Sequence, residues 1–192
     1  MNVIAITGAS GFIGDHLLDH LQNIDDIQIR ILIHKNNSIS KLNGNNIRII
    51  YGDLLDSKTL SKFVVPGCFV VNLGYLSGLS IHENTTAIQN LAEACVKVKI
   101  KRMIHCSTAV VVGKCAEMNV DEKTICDPID TYASIKLAVE RVLLEKYGDQ
   151  FETAILRPTA VFGPGGKNLM KLANDLRYGN RITNYFKSCL FN

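Results

Sequence analysis

Among its 192 residues the sequence has no C-x-x-C pair, no strong charge of either sign and no uninterrupted apolar run of membrane length. Each absence removes a class of protein. Without paired cysteines, Cys68, Cys95, Cys106, Cys115, Cys126 and Cys189 lack zinc-ligand spacing. Most sit among apolar residues and read as small core side chains, a usage that suits a reducing, cytoplasmic compartment. A net charge of only +3 argues against a nucleic-acid partner. The densest basic group, Lys97, Lys99, Lys101 and Arg102, reads as the solvated end of a helix. No charged residue falls between Phe63 and Ile81, but Pro66, Gly67, Asn72, Gly74 and Gly78 interrupt that stretch. It therefore reads as a buried strand and a loop, and no membrane segment is expected. An apolar strand pattern begins at Val3, so no leader peptide is expected either.

What is present is 47% hydrophobic and 20% charged residues, the balance of a globular domain. Short apolar runs alternate with helical patterns. Strands are expected at Val3–Thr7, Ile27–Ile33, Ile47–Tyr51, Cys68–Leu73, Met103–Ser107 and Phe151–Leu156. Helices are expected at Phe12–Leu21, Thr59–Val64, Glu83–Val98, Thr131–Tyr147 and Asn168–Tyr178. Ile13, Leu17, Leu18 and Leu21 would lie on one side of the first helix, and Ile88, Leu91, Ala92 and Cys95 would face inward from the third. Gly148 would stop the fourth in the left-handed manner of a C-terminal glycine. This alternation forces right-handed crossovers and predicts an α/β fold, a doubly wound parallel sheet.

The first strand runs directly into Gly8-Ala9-Ser10-Gly11-Phe12-Ile13-Gly14 and then a helix. A glycine motif placed so is the Rossmann fingerprint of a dinucleotide site. Gly8 permits the tight turn, Gly11 lets backbone approach a pyrophosphate, and Gly14 lets helix and strand pack closely. The pyrophosphate sits at the helix N-terminus, where free N–H groups and the dipole favour an anion. The second strand usually ends in an acid that binds the ribose hydroxyls of NAD. His34 and Lys35 stand there instead, which tilts the expectation toward NADP, unless Lys35 is an ordinary loop lysine. Asp53 follows the third strand, where its carboxylate would accept from an adenine amino group or merely cap a helix.

Tyr132 and Lys136 are four residues apart in a helical segment and so share a face. A nearby ammonium would stabilise phenolate and lower the tyrosine pKa, giving a base for a carbinol proton.

Together these motifs resemble the extended short-chain dehydrogenase/reductase family, the NAD-dependent sugar-nucleotide epimerases and dehydratases. The resemblance runs through Thr7–Gly14, Gly52–Asp56, Ile104–Gly113, the Tyr132/Lys136 pair and Arg157–Gly165. It implies that Tyr132 is the catalytic acid/base, that Lys136 holds the nicotinamide ribose, and that Thr108 (or Ser107) bonds the reacting oxygen. It further implies cofactor contacts from Gly8, Ser10, Gly11, Phe12, Ile13, Gly14, Asp53, Leu54, Leu73 and Gly74. Residues Pro158 to Val161 would touch the nicotinamide, and Asn84 would be a structural hydrogen-bonder.

Val112 replaces the tyrosine usual before Gly113. Ala109 and Val110 stand where a dehydratase would carry an acidic pair, which favours epimerase or reductase chemistry on a nucleotide sugar such as a UDP-sugar. The alternatives are an NADP(H)-dependent carbonyl reductase and a non-catalytic dinucleotide-binding fragment. Family members are longer, so residues 1–165 are expected to form the cofactor domain and 166–192 the start of an incomplete substrate lobe. A homodimer through the helices at 83–98 and 131–147 is also implied, as is poor solubility of the bare sheet face.

Overall fold

A computed structural model describes residues 1–34, 46–115 and 119–166, with 170, 174 and 177 singly. The chain divides into two compact units, Met1–Thr159 and Ala160–Asn192.

In the first unit β1 (Asn2–Thr7), α1 (Phe12–Leu21), β2 (Ile27–Ile33) and β3 (Ile47–Tyr51) come first. They are followed by α2 (Ser57–Phe63), β4 (Phe69–Asn72), α3 (Ile81–Val98), β5 (Arg102–Cys106), a 3-10 turn (Ala109–Val111), α4 (Thr131–Tyr147) and β6 (Glu152–Leu156). The six strands form one sheet in the order β3-β2-β1-β4-β5-β6, every pairing parallel. This is the doubly wound arrangement expected of the sequence. Strand order reverses between β1 and β4, and a crevice opens where the C-terminal ends of those two strands part. Thr7 and Asn72 pair there and are both buried.

Parallel strands are covered on both faces, hence their near-continuous apolar runs. One core gathers Leu60 and Phe63 of α2, Leu91 and Cys95 of α3 and Leu143 of α4 over Val70 and Met103. The other gathers Leu18 of α1 over Ile6, Ile29 and Ile31. No helix among the described residues is long and apolar enough to cross a membrane.

Four details depart from the sequence pattern. Ser80 and Glu83 form a reciprocal capping box, so α3 starts at Ile81 rather than Glu83. Gly148 ends α4 in right-handed rather than left-handed conformation, at φ −56°. Ile13 is 37% exposed, unlike Leu18 on the same side of α1. Arg30, in the middle of β2, is buried, and its Nε donates to the Phe63 carbonyl at 2.8 Å. It thereby caps the C-terminus of α2, where orphan carbonyls and the negative dipole end favour a cation. The basic group near residue 99 falls as expected: Lys97 lies in the last turn of α3 and Lys99 is its C-cap. Lys35, Cys189 and most of the helix expected at Asn168–Tyr178 lie outside the described residues. In the second unit, Gly166 N–H donates to the Gly163 carbonyl, closing a turn in which Gly165 has φ +80°.

Gly14 sets how closely α1 meets β1. A Cβ there would collide with the Gly8 carbonyl oxygen and lie 2.6 Å from the Ala9 Cα, both backbone atoms that cannot swing away. Gly14→Ala should therefore lower the unfolding free energy by about 1–3 kcal/mol, read from the urea midpoint.

Candidate dinucleotide site and adjoining polar cluster

Four strand ends build one cleft of about 330 Å³. The turn after β1 contributes Gly8, Ser10 and Gly11, and the end of β2 contributes Leu32 and His34. The segment after β3 contributes Gly52, Asp53 and Leu54, and the segment after β4 contributes Leu73, Gly74, Tyr75 and Leu76. Eight of the residues singled out from the sequence thus come together. Phe12, Ile13 and Gly14 form the first turn of α1 beside them.

Gly8 sits at φ +68°, and a Cβ on it would lie 2.7 Å from the Leu73 carbonyl carbon. Only glycine fits between these two segments, so the crossing of β1 and β4 depends on it. Gly11 is the N-cap of α1 and supplies no side-chain hydrogen bond. Of the helices fully within the described residues, the other three are each closed by a side chain: Asp56 on α2, Ser80 on α3 and Asp130 on α4. The helix end that opens on the cleft is the one without a cap. A diphosphate fits this arrangement, since backbone N–H groups and the positive dipole end face it with no side chain in between.

Asp53 does not cap α2, because Asp56 does so. Its Oδ1 accepts from Leu55 N–H at 2.9 Å, and its Oδ2 lies 3.4 Å from His34 Nε2. The imidazole that suggested a phosphate-seeking cation therefore faces a carboxylate.

Beyond the cleft lies a second cluster. Asp130 caps α4 through Ala133 N–H at 2.7 Å and so fixes the register that puts Tyr132, Lys136 and Glu140 on one face. The Thr108 hydroxyl acts on the Tyr132 phenol and favours its ionised form. Lys136, 4% exposed, donates to the Cys106 carbonyl at 2.5 Å. Burial lowers its pKa, with Cys106 and Glu140 opposing that shift. Tyr132 differs from the sequence expectation: its phenol is raised, first by burial and then by Cys106 and Tyr75, with the Thr108 hydroxyl only partly opposing. The cause is geometric, because the ammonium is engaged by a backbone carbonyl instead of the phenol.

Glu140, almost fully buried, forms a bidentate pair with Arg157, Nη2 to Oε2 at 2.6 Å. That pair ties the end of β6 to α4. Ala109 N–H donates to the Pro158 carbonyl at 2.9 Å, joining the end of β6 to the turn after β5. Val161 belongs to the second unit. Asn84 is structural as expected, since its amide bonds the Leu76 N–H and the Leu76 and Ser80 carbonyls. The described residues contain no cluster of three or more metal-ligating side chains.

Two features escaped sequence reasoning. Tyr75 lines the cleft and meets Tyr132 edge-to-face at 5.1 Å, with Lys136 Nζ 5.9 Å from its ring centre. Beneath the cleft runs a buried chain in which Thr7 Oγ1 donates to Asn72 Oδ1 at 2.5 Å and Asn72 Nδ2 faces His105 Nδ1 at 3.0 Å. Because Nδ2 can only donate, His105 Nδ1 accepts and the neutral ring carries its proton on Nε2, which has no partner.

A match to the family model described as NAD dependent epimerase/dehydratase covers residues 4–183. Sheet topology and cleft define a Rossmann-type α/β protein. The chain belongs to the NAD-dependent epimerase/dehydratase family. It is 29% identical over 87% of its length to a decarboxylating sterol-4-alpha-carboxylate 3-dehydrogenase of Candida albicans, and covers 53% of that protein. It is 31% identical to a UDP-N-acetylglucosamine 4-epimerase of Methanobrevibacter ruminantium, with TM-score 0.70, covering 85% of this chain and 56% of that one. Its fold matches a dTDP-glucose 4,6-dehydratase of Bacillus anthracis, solved with NAD, at TM-score 0.78 and 22% identity, over 94% of this chain and 62% of that one. The chain spans about half the length of the curated relatives it matches.

Burial holds His105 neutral, its pKa pushed down to about 3 with help from the nearby Lys136 charge. The unfolded chain takes up a proton near pH 6.5 that the folded chain refuses. Stability from this group is whole above that pH and falls as pH drops toward 3, by about 1 kcal/mol per unit. Chemical denaturation at a series of pH values should show a shallower acid loss for His105→Gln than for the wild type.

Proposed function

We propose that the chain carries out reversible hydride transfer between a nicotinamide dinucleotide and a secondary carbinol, with a nucleotide sugar such as a UDP-sugar as the substrate class. The observation that carries this reading is the Thr108–Tyr132–Lys136 cluster standing beside a glycine-walled cleft with an uncapped helix end. Gly8, Ser10, Gly11, Phe12, Ile13 and Gly14 would hold the pyrophosphate. Asp53 and Leu54 would meet the adenine, and Leu73, Gly74 and Lys136 the nicotinamide ribose. Pro158 would complete the nicotinamide contacts.

The bound nicotinamide supplies a hydride acceptor and donor at the carbinol carbon. Tyr132 would give its phenol proton to the oxygen as the carbonyl is reduced, and the phenolate so formed would take the carbinol proton in the reverse direction. Thr108, whose hydroxyl acts on the same phenol, would hold the reacting oxygen. Lys136 supplies a buried positive charge that favours the anionic oxygen. The turn at Ala109 and Val110 brings no carboxylate beside Thr108, so elimination of water is disfavoured against epimerisation or reduction. The Asp53 carboxylate, 3.4 Å from His34, would repel a ribose phosphate, which supports NAD over the NADP that the sequence pattern favours. A cytoplasmic homodimer through α3 and α4 is part of the same reading, with Leu144 of α4 exposed.

A second reading is a dehydrogenase acting on a sterol carboxylate, favoured by the similarity to the Candida albicans protein. Both readings share the same half-reaction, so substrate alone separates them. Incubation of the purified chain with NAD and, separately, UDP-sugars or a 3β-hydroxysteroid carboxylate should give hydride transfer with the first class only, read as inversion at the sugar carbinol or as a change in the reduced-cofactor absorbance. Tyr132→Phe should lower that rate by about 10²–10⁴-fold while dinucleotide affinity holds. Binding without turnover of either class would favour a non-catalytic dinucleotide-binding role.

A further inference from the structure

We propose that the Tyr75 ring is a gate between the dinucleotide cleft and the Tyr132–Lys136 pair, displaced when the nicotinamide half of a dinucleotide reaches the tyrosine. The inference rests on the dinucleotide reading of the cleft.

Tyr75 belongs to both places at once. It lines the cleft, whereas Tyr132 and Lys136 are not among the residues lining it. Its ring stands edge-on to Tyr132 at an interplanar angle of 86°, and the Lys136 ammonium lies over its face. A ligand extending from the glycine turn toward Tyr132 therefore meets this ring first.

The backbone on either side is pinned. Leu73 N–H donates to the Thr7 carbonyl at 3.2 Å, and Gly74 N–H donates to Thr7 Oγ1 at 3.1 Å. Leu76 N–H donates to Asn84 Oδ1 at 3.1 Å. With both flanks held, the soft coordinates are the side-chain torsions, and the ring moves as a hinged plate.

The contacts that hold the plate shut are of a weak kind. An edge-to-face aromatic pair shifts an equilibrium by about three- to tenfold, a barrier that a ligand overcomes at modest cost in affinity. The Lys136 ammonium completes the closed arrangement, since it donates to the Cys106 carbonyl.

The test is calorimetric titration of the full chain with ADP and with NADH, using wild type, Tyr75→Ala and Tyr75→Phe. ADP fills the adenosine and diphosphate end and does not reach the gate. Tyr75→Ala should bind NADH about three- to tenfold more tightly than wild type and ADP within about twofold of it. Tyr75→Phe, which keeps the ring, should match wild type for both. Should the alanine variant not fold, Tyr75→Leu carries the same expectation, since it keeps apolar bulk at this half-buried position. Unchanged or weaker NADH binding by the ring-less variants, with ADP binding intact, overturns the gate and leaves the dinucleotide reading standing. Loss of measurable affinity for ADP and NADH alike in the wild type overturns both.

Discussion

The N-terminus of α1 is left open, and the packing around it keeps it so. Helix ends carry unsatisfied N–H groups that a protein normally covers with a side chain. Among the described residues α2, α3 and α4 are covered, and α1, facing the crevice, is not. Gly8 and Gly14 bring α1 and the end of β4 so close to the turn that a methyl group at either position would strike backbone. Gly11 leaves the space in front of the amides clear. A concentrated positive potential without a side-chain partner is a recognition device for a diphosphate, and the remaining cleft residues are arranged around it.

The second organising element is polar and buried. Thr7, Asn72 and His105 link the C-terminal ends of β1, β4 and β5 by side-chain hydrogen bonds directly beneath the crevice. The Gly74 N–H joins through Thr7 Oγ1, which fixes the segment carrying Tyr75. On the far side, Lys136 on the Cys106 carbonyl and Arg157 on Glu140 fasten α4 to β5 and β6. A partly satisfied buried network is costly, and the unpaired His105 Nε2 is consistent with a region shaped for more than stability.

Much of the fold was legible because its determinants are local. Apolar runs bounded by breakers located all six strands to within a residue or two, and helical patterning stopped by Gly148 bounded α4 at Thr131–Tyr147. The glycine turn could be read because each glycine has a separate steric reason. The exceptions were relational. Arg30 looks misplaced in a buried strand until the end of α2 is known to lie against it. The spacing of Tyr132 and Lys136 gives a shared face but not the carbonyl that captures the ammonium, so the direction of the phenol shift was misjudged. Tyr75 has no periodicity or motif to mark it, and its place between two clusters is visible only in three dimensions. The capping box at Ser80 and Glu83, by contrast, was readable and was passed over.

The central claim is that the amides at the start of α1 receive a pyrophosphate. Amide NMR of the labelled chain during titration with NAD tests it directly. The account predicts that the largest, saturable shifts fall on Gly11, Phe12, Ile13 and Gly14. Saturating binding that leaves those four resonances in place would contradict it.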